Sequence, residues 1–142
     1  MTILATPRSL FTASIMSVRG VNAEGPNVKS VSVLKSALSG ARSTATNLIP
    51  AGCFLIGVTV RVTTLITGAT SFTIGDGSDA DRWGTGIAVA AGTTTTIADF
   101  TAAGYGQFLT SNSVVLTAAG SNFVTGAVRV TAHYLDLTPA TS

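Results

Sequence analysis

The sequence predicts an all-β protein, an antiparallel β-sandwich of jelly-roll type with an extended N-terminal arm. From residue 49 onward, apolar and polar residues alternate in short segments separated by glycine-rich turns, which is the pattern of half-buried strands. Valine, isoleucine and threonine are abundant, whereas glutamate and lysine, which favour helices, are nearly absent. Charged residues make up 10% and hydrophobic residues 46% of the chain, and this composition excludes a wholly disordered protein.

A change of composition near residue 48 predicts two parts, an extended arm over residues 1–48 and a β-sandwich over residues 49–142. Before this point, short apolar pairs are separated by serine, glycine, proline and asparagine, and Pro7 and Pro26 interrupt any long helix. Residues 29–40 could begin as a strand or end in a helical turn. The arm has too few large apolar residues to form a core of its own.

Two long segments define the predicted sandwich. In FLIGVTVRVTTLITG the valines alternate with polar residues, and the same holds in FVTGAVRVTAHYLDL near the end of the chain. Shorter strands are expected at TSFTIGDG and at residues 83–90, 93–98, 107–109 and 113–117. The residues expected in the core are Val58, Val60, Val62, Val128, Val130 and Tyr134.

The tetrapeptide Val-Arg-Val-Thr occurs in both long segments and places Arg61 and Arg129 in the middle of a strand. The repetition has two interpretations, chance in two valine-rich strands or a shared environment. If the two strands pair, both arginines lie on one face, which then requires carboxylates or a subunit interface nearby. We therefore predict that Arg61 and Arg129 face a partner subunit or a symmetry axis.

The residues that could carry chemistry do not form a recognisable catalytic or metal-binding motif. His133 is the sole histidine, and no GxSxG elbow or phosphate-binding GKS/GKT sequence accompanies it. Asp76, Asp79 and Asp81 lie in one short segment that does not follow the EF-hand spacing, and a solvated turn with Asx hydrogen bonds is favoured over a Ca²⁺ site. Trp83 is expected to anchor a core or an interface. We predict no enzymatic activity, no cofactor and no metal.

The charge distribution indicates protein partners. Residues 1–60 carry a net charge of about +4 and the remainder about −2, and the overall charge of +2 with few aromatic residues argues against nucleic-acid binding. No apolar segment is long enough to span a membrane and no signal peptide is recognised, so no membrane partner is expected. The single Cys53 is compatible with synthesis in a reducing cytoplasm.

The segments IPAG, VTVRVTTLITGATSFTIGDG, DRWGTGI and VVLTAAGSNFVTGAVRVTAHYL lie between Ile49 and Leu135. Together they resemble a β-domain of virion proteins that recurs in tailed phages, prophages and gene-transfer agents, often at the C-terminal end of longer tail or head-fibre proteins. The resemblance implies a structural component of the virion, oligomeric and without enzymatic activity, assembled after synthesis in the host cytoplasm.

The short arm and the lack of a fibre shaft favour one function within this class. We expect a capsid decoration, or cement, protein on the exterior of the head, forming a homotrimer and binding the major capsid protein. The alternative is a tail-fibre or baseplate adhesin module that contacts other tail proteins or a host surface glycan or protein. The predicted interface residues are Leu10, Phe11, Ile15, Met16, Arg19, Arg61 and Arg129.

Overall fold

The computed structural model describes residues 27–97, 106–108 and 110–137, and every regular element in these ranges is a strand. The strands are β1 (Asn27–Lys35), β2 (Arg42–Ile49), β3 (Cys53–Thr67), β4 (Ser71–Gly75), β5 (Gly84–Ala88), β6 (Gly106–Phe108), β7 (Asn112–Ala119) and β8 (Thr125–Asp136). Within the described part of the chain, no helix has the length and apolar character that a membrane crossing needs.

The strands pair in the order of a jelly roll. Antiparallel pairs join β1 to β8, β2 to β7, β3 to β6 and β4 to β5, as in one long hairpin folded at its tip. Further pairing of β3 with β8 and of β4 with β7 rolls this hairpin into two four-stranded sheets. The first sheet has the order β1-β8-β3-β6 and the second has the order β2-β7-β4-β5. The predicted all-β sandwich of jelly-roll type is confirmed.

The core lies between the two sheets and contains the valines that the alternation predicts. Val60 is opposite Val130 and Val62 is opposite Val128 in the β3–β8 pair, and all four side chains are buried. The predicted Val58 is buried beside them, whereas Tyr134 is only half-buried and packs against the margin of the core. The second sheet contributes the fully buried side chains Phe72, Ile74, Val114 and Leu116.

The predicted boundary at residue 48 is wrong for residues 27–48, because β1 and β2 lie in the two sheets. Strand β1 pairs with β8 along its full length, and Val31 and Val33 pack against the core. Leu38, between the two strands, is only 1% exposed. This segment cannot form a core alone, but each strand completes the edge of a sheet that other strands have already formed. The predicted arm residues Leu10, Phe11, Ile15, Met16 and Arg19 lie outside the described residues.

Two truncations distinguish the observed boundary from the predicted one. Removal of residues 1–26 should preserve cooperative thermal unfolding and the β-type circular dichroism spectrum, because all eight strands remain. Removal of residues 1–48 should abolish cooperative unfolding, because it deletes β1 and nearly all of β2 and exposes core residues of β7 and β8. If a chain that starts at residue 49 folded cooperatively with unchanged thermal stability, the result would support the predicted boundary at residue 48.

Candidate functional site

The outer face of the first sheet, which is turned away from the second sheet, carries the polar residues of β3 and β8. Side chains of a strand point alternately to its two faces, so the residues between the core valines point outward. In the register of the β3–β8 pair, Thr59 is opposite Thr131 and Arg61 is opposite Arg129. Both arginine side chains are exposed. The repeated Val-Arg-Val-Thr sequence therefore does produce a shared environment, as one of its two interpretations predicted.

The two arginines form an unfavourable pair in the isolated chain. Residues directly opposite in an antiparallel pair have Cα atoms about 4.5–5.5 Å apart, and like charges at such positions are destabilising. In the described ranges, ion pairs join Lys29 to Asp136 and Arg82 to Asp76, both away from this position. Among the described residues, neither the Arg61 side chain nor the Arg129 side chain has a hydrogen-bond or ion-pair partner.

A segment between β5 and the short strand β6 forms one wall beside the arginines. Thr95 donates its backbone N–H to the Val60 carbonyl (3.0 Å) and accepts the Val60 N–H at its hydroxyl (2.9 Å). An isolated bridge also joins Arg61 to Thr94. The segment predicted as a strand over residues 93–98 thus runs along the edge of β3 without forming a regular strand in its described residues 93–97.

Gly57 allows this wall to close over β3. A Cβ atom at Gly57 would lie 2.5 Å from Cγ1 of Ile97, which is far inside van der Waals contact. Between the wall and the β3–β8 pair lies an open groove of about 570 Å³, which we name the two-arginine groove. It is lined by Thr59, Val60, Arg61, Thr94, Thr95, Thr96, Ile97, Arg129, Thr131 and His133.

Hydrogen bonds between side chains order the floor of the groove. Thr59 Oγ1 and His133 Nε2 are 3.0 Å apart, and the Ser32 and Thr131 hydroxyl oxygens are 2.6 Å apart. These bonds hold two threonines, a histidine and a serine from three neighbouring strands at fixed positions. The sequence pattern predicts only a strand for Thr93–Thr96 and indicates no catalytic motif around His133. Only the pairing of residues 93–97 with β3 brings these threonines to the arginines, whereas His133 lies on β8 together with Arg129.

An apolar row lies on the same outer face, toward the end of the sheet where β8 ends. Leu135 is opposite Val28 on one side and opposite Phe54 on the other, so the three side chains point to one face. Val28 is 73% exposed and Phe54 is 43% exposed. The outer face therefore combines positive charge that no described carboxylate balances with exposed apolar side chains, which is typical of a surface that contacts another protein.

The Asp76–Asp81 segment forms the predicted turn. Asp76 Oδ1 accepts the backbone N–H groups of Ser78 (3.0 Å) and Asp79 (2.9 Å), and its Oδ2 lies 2.8 Å from Arg82 Nε. These contacts make an Asx turn joined to Arg82 by an ion pair, and they confirm the predicted Asx hydrogen bonds. Across the described residues, no three histidine, cysteine or acidic side chains are grouped as metal ligands. Trp83 follows the turn and is 7% exposed, so it anchors the core as expected.

Cys53 lies in the core at the start of β3 and is 2% exposed. Burial raises the pKa of the Cys53 thiol, because the thiolate would lose its solvation there. A higher pKa leaves less thiolate at neutral pH, and the thiolate is the reactive form. This position therefore contributes packing, and it is not suited to a nucleophile.

Comparison with solved structures identifies the class of protein. The chain is similar to a chain in the structure described as the cyanophage Pam1 capsid asymmetric unit, with a TM-score of 0.52 and 25% sequence identity. The match covers 78% of this chain and 86% of that one. No family model and no curated protein matches the sequence. The likeness supports a phage capsid-associated structural role, and at this level it agrees with the virion component that the sequence resemblance implied.

The opposed arginines should lower the stability of the isolated chain. Replacement of Arg61 by threonine should raise the free energy of unfolding by about 0.2–1 kcal/mol at low salt, because it removes one of two like charges in direct opposition. Added salt should reduce this difference by screening the repulsion. Urea unfolding at two salt concentrations measures both effects. Arg42→Thr is the matched control, since Arg42 is exposed and opposite the uncharged Thr117. A loss of stability in R61T would instead reveal a stabilising partner for Arg61.

Proposed function

We propose that this chain is a capsid decoration, or cement, protein that binds the exterior of a tailed-phage head and clamps neighbouring capsomers. The observation that carries this proposal is the likeness to a chain of a capsid asymmetric unit, because it spans 86% of that chain and so covers nearly a whole protein. By this argument the major capsid protein is the principal partner. The protein then acts in the virion, after its synthesis in the host cytoplasm.

The architecture suits a clamp. Two sheets with continuous antiparallel pairing form a rigid block, and a rigid block transmits load between the surfaces it contacts. The outer face of the first sheet offers both charge and apolar area for such a contact. We expect no catalytic function, because in the described ranges His133 bonds to Thr59 without a carboxylate to orient its ring, and Asp76 is bonded to the backbone of its own turn. We therefore expect that His133→Ala alters folding or assembly only.

Oligomerisation follows from the same surface properties. Sparse charge permits broad buried faces between subunits, and we propose a homotrimer with Arg61 and Arg129 at an interface in the assembled particle. The N-terminal residues Leu10, Phe11, Ile15, Met16 and Arg19 are proposed to add contacts with neighbouring subunits. Sedimentation equilibrium should give three times the 14.3 kDa chain mass at micromolar concentration. A monomer that persists both in solution and on the particle would contradict the trimer.

Copy number per particle separates the head from the tail. Quantitative mass spectrometry of purified particles should find hundreds of copies, in a fixed ratio to the major capsid protein, because a decoration protein repeats with the shell. Heads that have been separated from tails serve as the matched sample, and they should retain all the copies of this protein found in whole particles. A few dozen copies that leave with the tails would overturn the cement function and favour the tail-fibre or baseplate adhesin.

A further inference from the structure

The two-arginine groove has a charge that the described part of the chain does not balance. Arg61 and Arg129 are exposed and directly opposite, and their closeness costs stability. Basic residues outnumber acidic residues eight to six in the whole chain. Two of the described carboxylates, Asp76 and Asp136, already belong to ion pairs elsewhere. No carboxylate of the described residues pairs with either arginine, so the groove is open to a carboxylate from another molecule.

We propose that the two-arginine groove binds an acidic segment of a different protein, with one or two carboxylates held between Arg61 and Arg129. Guanidinium groups bind carboxylates through two parallel hydrogen bonds, and two guanidinium groups on neighbouring strands can share one carboxylate or bind two adjacent ones. In the particle this partner would be the shell protein, so the inference adds a chemical requirement to the proposed docking and rests on it for the partner's identity.

The shape of the groove favours an extended peptide over a small anion. The groove is open, and exposed ion pairs in water contribute little individually. A peptide gains further contacts along the wall, where the exposed Thr94 and Thr96 offer hydroxyl groups to a passing backbone. Leu34, opposite Arg129 in the β1–β8 pair and 44% exposed, provides apolar contact for the methylene groups of a glutamate. Hydroxyl groups, guanidinium groups and an apolar side chain thus follow one another across neighbouring strands, where one extended peptide can contact all three.

Binding of a matched pair of peptides to the full chain tests the inference without any virus particle. The probes are the fluorescently labelled, amidated heptapeptide Gly-Glu-Gly-Glu-Gly-Glu-Gly and its counterpart with glutamine at each glutamate, measured by anisotropy. The glutamate peptide should bind about tenfold more tightly at low salt, and its affinity should fall steeply as salt rises because the contacts are ionic. Equal binding of the two peptides would overturn the proposal.

Variants locate the binding on the groove. R61Q and R129Q should each weaken the glutamate peptide several-fold, and the double variant should bind it no better than the glutamine peptide. R42Q, which changes an exposed arginine on the second sheet, should leave the affinity unchanged. Because R61Q and R129Q remove a repulsion, they should remain folded, and thermal unfolding verifies this. Retained binding in the folded double variant would overturn the assignment.

Three further measurements distinguish other sources of the negative charge. Displacement of the peptide by sulfate, beyond the effect of chloride at equal ionic strength, would indicate a general anion site. Dissociation of the oligomer in the double variant would place a second copy's carboxylates in the groove. Tighter peptide binding in D99N, which changes a carboxylate outside the described residues, would indicate competition from the chain itself. Each of these results would overturn a different-protein partner, whereas the copy number per particle tests the proposed function separately.

Discussion

The pairing of β3 with β8 is the constraint on which the rest of the structure depends. The two strands are the longest among the described residues and stay paired from Cys53 opposite Asp136 to Thr67 opposite Thr125, with register shifts at bulges between these ends. On the inner face this register brings the valines of both strands together as the centre of the core. On the outer face it brings Arg61 opposite Arg129. A shift by one residue would expose the valines and bury the arginines, so the core fixes the register and thereby the charged pair.

The remaining strands are organised around this pair. β1 extends the first sheet from β8, and residues 93–97 and β6 hydrogen-bond along the other edge of β3. Gly57, within β3, has no side chain where Ile97 crosses, so the wall of the two-arginine groove can lie directly on the strand. The groove is therefore a consequence of the central pairing together with one glycine and one hydrogen-bonded threonine, Thr95.

A cost in stability at a surface position is informative about function. Opposed arginines on an exposed face repel each other in the folded monomer, whereas threonine at either position would suit a strand well. The similarity to a chain of a phage capsid asymmetric unit offers a setting in which such a surface meets other proteins. If a partner carboxylate binds between the arginines, it relieves their repulsion. Replacement of either arginine is then expected to raise the stability of the isolated chain and to lower its affinity for the partner.

Local sequence patterns determined much of this protein. Alternation of apolar and polar residues identified β3 and β8 and their inward valines, and the short-range spacing of Asp76 and Asp79 identified the Asx turn. The repeated Val-Arg-Val-Thr placed both arginines at equivalent strand positions. Each of these features depends on residues close together in the chain, where side-chain direction and turn geometry follow from the sequence itself.

Tertiary structure alone decided the features that depend on distant parts of the chain. β1 and β2 have weak patterns of their own, and they become strands because sheet edges formed by residues more than 60 positions away accept their hydrogen bonds. The groove required residues 93–97 to pair with β3, and the opposition of Arg61 and Arg129 required β3 to pair with β8. Such pairings are stabilised by burial and hydrogen bonding across the assembled sandwich. Because these contacts join distant segments, the pairings cannot be predicted from any one local segment of the sequence.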